Sequence, residues 1–364
     1  MELGINTLGG VSADRRTGAT PTEHERLASI VAQGVLAERL GFEAFSVGEH
    51  HGDRHFVTSA PPVILAAIAA QTERVRLMTG VTLLPLLDPV RVAEDYATLD
   101  VISGGRVEIV AGKGNFASAS RLLIGQDDPD RGALLREHLD LLLEILRTGH
   151  IPAWPATSSP APSRPAPSRP ALSDAHVTPR PVQPQLPVWL GATRNVDSVE
   201  LAASKGLPVL VAGFRAGTYA DFADHYREAF AAAGHDPRQA RVASLSTVVV
   251  DHDEARVRRE YRAYWEQTVN AAAQRNQGLR QDNRAQRLLD QGFDDLTGPA
   301  GQILVGTPEY VAERLIGMHQ DLRHDLHFLQ IDNGLGPAGT EEIMHLIAEE
   351  VAPLVRKETA LSAA

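Results

Sequence analysis

What most constrains this chain is its rhythm: short runs rich in β-branched residues alternate with longer stretches of helical periodicity. Eight such runs read as strands: LGINTL (3–8), AFSVGEHH (44–51), VRLMTGVTLL (75–84), GRVEIVAGKG (105–114), PVWLGA (187–192), LPVLVAG (207–213), RVASLSTVVV (241–250) and LHFLQID (326–332). Helix signals fill the gaps. Thr22 with Glu25 three residues on makes a capping box, Leu27, Ile30, Val31 and Val35 recur at helical spacing, and Gly41 ends the segment. Ser59 ahead of Pro61 and Pro62 predicts the second helix, Asp88–Pro89 the third, LLREHLDLLLEIL (134–146) the fourth, and Thr307–Pro308 the seventh. IMHLIAEEVAPLV (343–355) predicts the last.

Strand–helix alternation of this kind gives parallel strands with helices outside, either a closed barrel or an open doubly wound sheet. Eight units favour the α/β class as a (β/α)8 TIM barrel. An open dinucleotide-binding sheet would carry G-x-G-x-x-G after its first strand, and LGINTLGGVSA does not. The whole of 1–364 therefore reads as one barrel domain with two additions. Eleven of the 23 prolines fall in 152–187, so 152–186 is expected to be a flexible Pro/Ser/Ala-rich insertion after the fourth helix. The charged, Gln-rich stretch 252–300 is expected to be a helical insertion before the seventh barrel helix.

Composition narrows the chemistry. Cysteine is absent, which removes disulfides, thiolate nucleophiles and cysteine-bound metal clusters. A net charge of -11 argues against a nucleic-acid partner, because phosphate contacts need clustered cations. No apolar run approaches the roughly 20 residues that span a bilayer, and MELGINTLGG does not resemble a signal peptide, so the expected compartment is the cytoplasm, with no membrane partner.

In a barrel of this type the chemistry collects at the carboxyl ends of the strands. Gly112-Lys113-Gly114 offers backbone N–H groups and a cation, suited to a phosphate. ATRNVDS (192–198) offers Arg194, amide and hydroxyl side chains and the start of a helix, whose dipole also favours an anion. Either turn alone reads as a solvated surface turn; two on neighbouring strands favour a phosphate site. Glu49, His50 and His51 end the second strand, and strand alternation lets only one histidine of the pair face inward. The inward one is a candidate acid/base, with a structural role as the second reading and metal ligation, through His51 and His55, as a distant third. No metal ligands are assigned. Asp88 is expected to cap its helix, and Asp100 and Arg106 to pair across the SGG turn.

GFEAFSVGEHH (41–51), SAPPVILAAIAAQTERVRL (59–77) and, most specifically, GVTLLPLLDPVRVAEDYATLDVISGGRVEIVAGKGNF (80–116) resemble the luciferase-like flavin-dependent monooxygenase superfamily, as do 187–213 and 305–315. The resemblance implies a barrel, usually a homodimer, that binds FMN or the deazaflavin F420. It puts Lys113 at a phosphate-binding position with Gly114 beside it, and Asn195 and Ser198 at phosphate contacts opening the helix after the fifth strand. Arg194 stands where relatives often have a small or acidic residue. His50 takes the position of the catalytic histidine of the bacterial luciferase branch, and a non-prolyl cis peptide is implied near Gly80, Val81 and Thr82, beneath the flavin ring. The activity implied is monooxygenation: reduced FMN from a separate flavin reductase reacts with O2 to a C4a-peroxide that oxygenates a small organic substrate. Two alternatives stand beside it, an F420-dependent hydride transfer on the same barrel and, more remotely, a metal-dependent barrel hydrolase. The second and third helices are apolar on more than one face, which is consistent with dimerisation.

Overall fold

The computed structural model describes residues 1–114, 116–127, 129–156, 170–192, 196–212, 218–275 and 284–361. In chain order its strands are β1 (Glu2–Thr7), β2 (Ala44–Val47), β3 (Arg76–Thr79) and β4 (Val107–Ala111), then β5 (His150–Trp154) and β6 (Leu172–His176), and then β7 (Val188–Ala192), β8 (Val209–Ala212), β9 (Val242–Val250), β10 (Ile303–Gly306) and β11 (Leu326–Gln330). Eight of them close a parallel ring in the order β1-β2-β3-β4-β7-β8-β9-β11, with β11 returning to β1. The fold is a (β/α)8 barrel.

Around the ring lie α1 (Glu23–Arg39), α2 (Pro61–Ala69), α3 (Pro89–Ser103), α4 (Ala117–Ile124), α5 (Arg131–Thr148), α6 (Val196–Ser204), α7 (Thr218–Ala232), α8 (Glu254–Arg275), α9 (Arg284–Gln291), α10 (Phe293–Thr297), α11 (Pro308–Leu322), α12 (Pro337–Leu346) and α13 (Ala352–Leu361). The starts follow sequence chemistry. Thr22 and Glu25 cap α1 reciprocally, Asp88 accepts from Val90 and Arg91 N–H at α3, and Thr307 accepts from Tyr310 N–H at α11. The start of α2 differs from expectation: Ala60, not Ser59, precedes the helix and no side chain caps it. With Pro61 and Pro62 in the first turn, two of the N–H groups a cap would satisfy do not exist.

Asp100 and Arg106 do not pair with each other. Asp100 accepts from the backbone and side-chain amide of Gln183, tying α3 to the chain before β7. Arg106 reaches the carbonyls of Ala69, Thr72 and Val75 and so satisfies the exposed carboxyl end of α2. Each charge meets a backbone group that would otherwise lack a partner, which the other charge could not replace. Three strands lie outside the eight predicted: β5 and β6, which pair with each other on either side of the Pro-rich run, and β10. β10 is four residues long and pairs with the distal half of β9, Ile303 opposite Thr247. Over it α8 and α10 build a separate apolar cluster around Tyr261, Trp265, Phe293 and Leu296.

Inside the barrel the period of two sorts residues by layer. Arg76 and Glu108 pair near the amino end, with the Trp189 indole donating to Glu108 at 2.6 Å. Above them Ala44, Met78, Val110, Trp189, Leu210, Ala243, Leu326 and Phe328 fill the middle. That plug closes one end, and any cavity must lie at the other.

Candidate active site

In the inward phase, four consecutive strands of the ring reach glycine toward their carboxyl ends: Gly48 two residues after Ser46, Gly80 after Met78, Gly112 after Val110 and Gly191 after Trp189. Interior positions without side chains leave a hollow where packing would otherwise continue. The cavity of about 330 Å³ at the carboxyl end of the strands is lined by Gly80, Gly112 and Gly191 together with Leu8, His50, Phe56, Val81, Lys113, Gly114, Phe116, Ser198 and Gln330. Val81 sits at its floor. A Cβ on Gly112 would lie 2.5 Å from one Val81 methyl, and a Cβ on Gly191 would lie 2.9 Å from the other. The peptide Gly80–Val81 is cis, at the place the sequence resemblance implied.

His50 continues the inward series Ala44, Ser46, Gly48, and it is the member of the pair that lines the cavity. Its ring stacks on Phe56, with centroids 4.0 Å apart and planes 11° from parallel, and Phe116 closes in at 5.6 Å. His51 turns outward, its Nε2 2.7 Å from Glu49 Oε1. The other oxygen of the buried Glu49 accepts from Leu83 N–H at 2.9 Å, bracing the loop after β3. His55 pairs with Asp53, so His51 and His55 are each engaged by a different carboxylate.

Lys113 and Ser198 bring the two expected phosphate turns to one cavity. Lys113 is half-buried and forms no ion pair among the described residues, and burial holds its pKa below the ordinary lysine value, with Asp197 partly opposing. Ser198 is buried in the first turn of α6, where the helix dipole favours an anion. Gly114, with φ +68°, turns the chain out of β4, and the guanidinium of buried Arg131 anchors that turn through the carbonyls of Gly114 and Phe116. Thr82 is placed differently from the other expected site residues. It does not line the cavity, because its hydroxyl meets Tyr96 Oη at 2.9 Å inside the wall, while its backbone ties the loop to Val110 and Gly112. Arg194 and Asn195 lie outside the described residues.

Residues 1–325 match the family of luciferase-like monooxygenases. The chain belongs to that family. Among curated relatives, the oxygenase component of a flavin-dependent trigonelline monooxygenase from Acinetobacter baylyi is 29% identical over 189 residues, 50% of this chain and 47% of that protein. The chain thus spans about half the length of the curated relatives it matches. In three dimensions, monooxygenase RslO1 from Streptomyces bottropensis superposes with a TM-score of 0.75 at 22% identity, over 97% of this chain and 99% of that one. The oxygenating constituent of 3,6-diketocamphane monooxygenase from Pseudomonas putida, solved with FMN, gives 0.72 at 20% identity, with 98% of each chain covered. These two likenesses concern the fold.

Within the family frame, the residues that sequence reasoning missed are Gln330, Phe56, Phe116 and the ring of glycines. The glycines had a signal: V-G-E, T-G-V, A-G-K and L-G-A each put glycine at the end of a strand in the same phase. A second and larger concavity, about 690 Å³, faces outward between α2 and α3 and is lined by Pro62, Val63, Arg91, Asp95, Leu99 and Ile102 among others. Val63 is 70% exposed there and Ile102 56%. No helix among the described residues is long and apolar enough to cross a membrane.

Proposed function

We propose that this chain is the oxygenase of a two-component, FMN-dependent monooxygenase, taking reduced FMN from a separate flavin reductase and using O2 to oxygenate a small organic substrate. The observation that carries the reading is the convergence of His50, Val81, Lys113 and Ser198 on one cavity. The residues fit the cofactor at both ends. Lys113, the turn at Gly114, and the start of α6 at Ser198 suit a phosphate, with Arg194 and Asn195 assigned to the latter turn by sequence. The glycine layer leaves a slot for a flat ring above Val81, and the backbone of Thr82 holds that floor in register.

When bound, the flavin supplies the electrons and activates the oxygen. The chain's own part is positional and protonic. The His50 imidazole, held parallel to Phe56, exchanges a proton with the substrate or the reacting oxygen. Phe56, Phe116 and Leu8 keep water from the site, which strengthens every charge interaction inside it. The apolar groove between α2 and α3, with Val63 and Ile102 exposed, fits a cytoplasmic homodimer joined through those helices.

The test is an anaerobic titration with reduced FMN and, in parallel, reduced F420, followed by admission of air. Saturable binding of reduced FMN with oxygen-dependent reoxidation slower than for free flavin is expected. A preference for F420 without oxygen reactivity would replace the reading with hydride transfer, and binding of neither would end it.

A further inference from the structure

A group of potential ligands lies far from this chemistry in the topology. β5 and β6 form a two-stranded antiparallel ribbon within the connection from α5 to β7. Connections from helix to strand lie at the amino-terminal face of a (β/α)8 barrel, opposite the catalytic mouth. The ribbon register sets His150 directly across from His176. Asp174, two residues before His176, shares that face. The ligand atoms of His150, Asp174 and His176 all lie within 4.8 Å of one another.

We infer that His150, Asp174 and His176 form a binding site for a divalent transition-metal ion of the zinc type, which ties β5 to β6 at the base of the Pro-rich segment. The donor set is two imidazoles and one carboxylate, a combination that suits Zn2+ and its neighbours in a chain without cysteine. Tetrahedral coordination at about 2.0–2.1 Å needs donors roughly 3.3 Å apart. His150 Nε2 is 2.8 Å from Asp174 Oδ1 and His176 Nε2 is 4.0 Å from it, so the separations bracket that value. The two imidazoles are stacked, with centroids 4.4 Å apart and planes 18° from parallel, so metal binding requires the rings to turn out of the stack until both in-plane lone pairs meet at one ion.

The scaffold under the site is fixed. Ile151 and Val177 are buried in the outer core, and Trp154, Leu172 and Ala175 pack against it. Thr148 donates its hydroxyl to the His150 carbonyl, and Val177 N–H donates to Gly149 O at 2.9 Å. Asp174 adopts a left-handed conformation, φ 48°, which Asp and Asn accept more readily than most residues and which turns its carboxylate toward His150. Two ligands come from β6 and one from β5, so a bound ion joins the two ends of the intervening segment. It would close that loop without touching the barrel mouth.

The experiment uses tag-free, chelator-treated full chain titrated calorimetrically with Zn2+, and with Co2+ followed by visible absorption. One ion per chain should bind saturably, Co2+ should give ligand-field bands, and Zn2+ should raise the melting temperature. His176→Ala and Asp174→Asn should each weaken binding at least tenfold. Both residues are exposed, so the metal-free variants should melt with the parent, and Asn keeps the left-handed backbone accessible. Absence of saturable binding overturns the proposal, as does binding that survives both substitutions, which would place the ion on other histidines.

Discussion

Replacing Lys113 by methionine keeps the length of the side chain and removes its charge, which isolates the phosphate contact. The ammonium is half-buried, lines the cavity and has no ion-pair partner among the described residues. A charged ligand group therefore gains a direct ion pair, beyond the attraction that Asp197 already exerts on the ammonium. Hydrogen bonds to charged groups contribute about 1.5–3 kcal/mol, which corresponds to a roughly ten- to 150-fold rise in Kd. The assay is anaerobic titration with reduced FMN beside reduced riboflavin, which has the same ring and no phosphate. Lys113→Met should weaken FMN within that range and leave riboflavin unchanged. Burial lowers the Lys113 pKa, so the cation is lost as pH rises through a value below the ordinary lysine one. FMN affinity should accordingly fall on the alkaline side in the parent, and the variant should lose that limb. Equal weakening of both flavins, or no weakening of FMN, would refute the assignment of Lys113 to the phosphate.

His50→Asn should lower turnover by about 10²–10⁴-fold while reduced FMN binds as before, measured by single-turnover kinetics beside the titration; unchanged turnover would remove His50 from proton transfer. Gly112→Ala puts a Cβ 2.5 Å from a Val81 methyl, so it should cost about 1–3 kcal/mol in urea unfolding and weaken flavin binding, whereas wild-type affinity would show that the floor yields. Val63→Asp with Ile102→Asp should convert a dimer to monomers in light scattering; a parent that is monomeric at micromolar concentration sinks the α2–α3 interface. His327 is wholly buried, and desolvation pushes its pKa from 6.5 to about 3. The unfolded chain then takes up a proton that the folded one refuses, so stability falls as pH drops through 6.5 and toward 3. At pH 5 the loss is about 2 kcal/mol relative to neutrality. His327→Asn should show a correspondingly smaller drop between pH 7 and 5 in urea denaturation, and an identical drop would mean that other groups carry the acid sensitivity.

The barrel was legible because its signals are local. β-branched runs, the capping box at Thr22, and Asp88–Pro89 and Thr307–Pro308 each act within a few residues, and the structure has helix starts there. Features that depend on what a side chain meets across the fold were not legible. Asp100 and Arg106 are close in sequence and oppositely charged, yet each serves a distant backbone group on another segment. Thr82 shows the same limit: its position in the chain puts it beside the cavity, and the hydroxyl of Tyr96 on α3 turns it away. β10 is too short to show a period, and its pairing with β9 depends on the helices packed over it. The ligand group on the ribbon was hidden differently. His150 is separated from Asp174 and His176 by a proline-rich run, so no short ligand motif exists to be read.

A period of two links the parts of the site that sequence could and could not reach. On β2 the inward series is Ala44, Ser46, Gly48, His50, so the phase that hollows the cavity at Gly48 is the same phase that delivers the imidazole to its rim. A shift of one residue would put His51 inward and Glu49 at the floor, removing the brace on Leu83 N–H and placing a carboxylate where the glycine layer lies. The neighbouring strands carry glycine in the same inward phase, Gly80 and Gly112, and β7 adds Gly191. Polar groups support this layer from below, with Asn6 donating to Ser46 Oγ at 3.1 Å and both lying against Gly80. A side chain at Gly80 would meet Ser46 and Asn6 at 2.5 and 2.6 Å, so the floor, the polar pair beneath it and the register of β2 are fixed together. The inward phase of His50 therefore continues the barrel register, while its ring is held by the loop that follows β2, through Phe56 and the bond from His50 N–H to Thr58 O, so substitutions at those loop positions should displace the acid/base group.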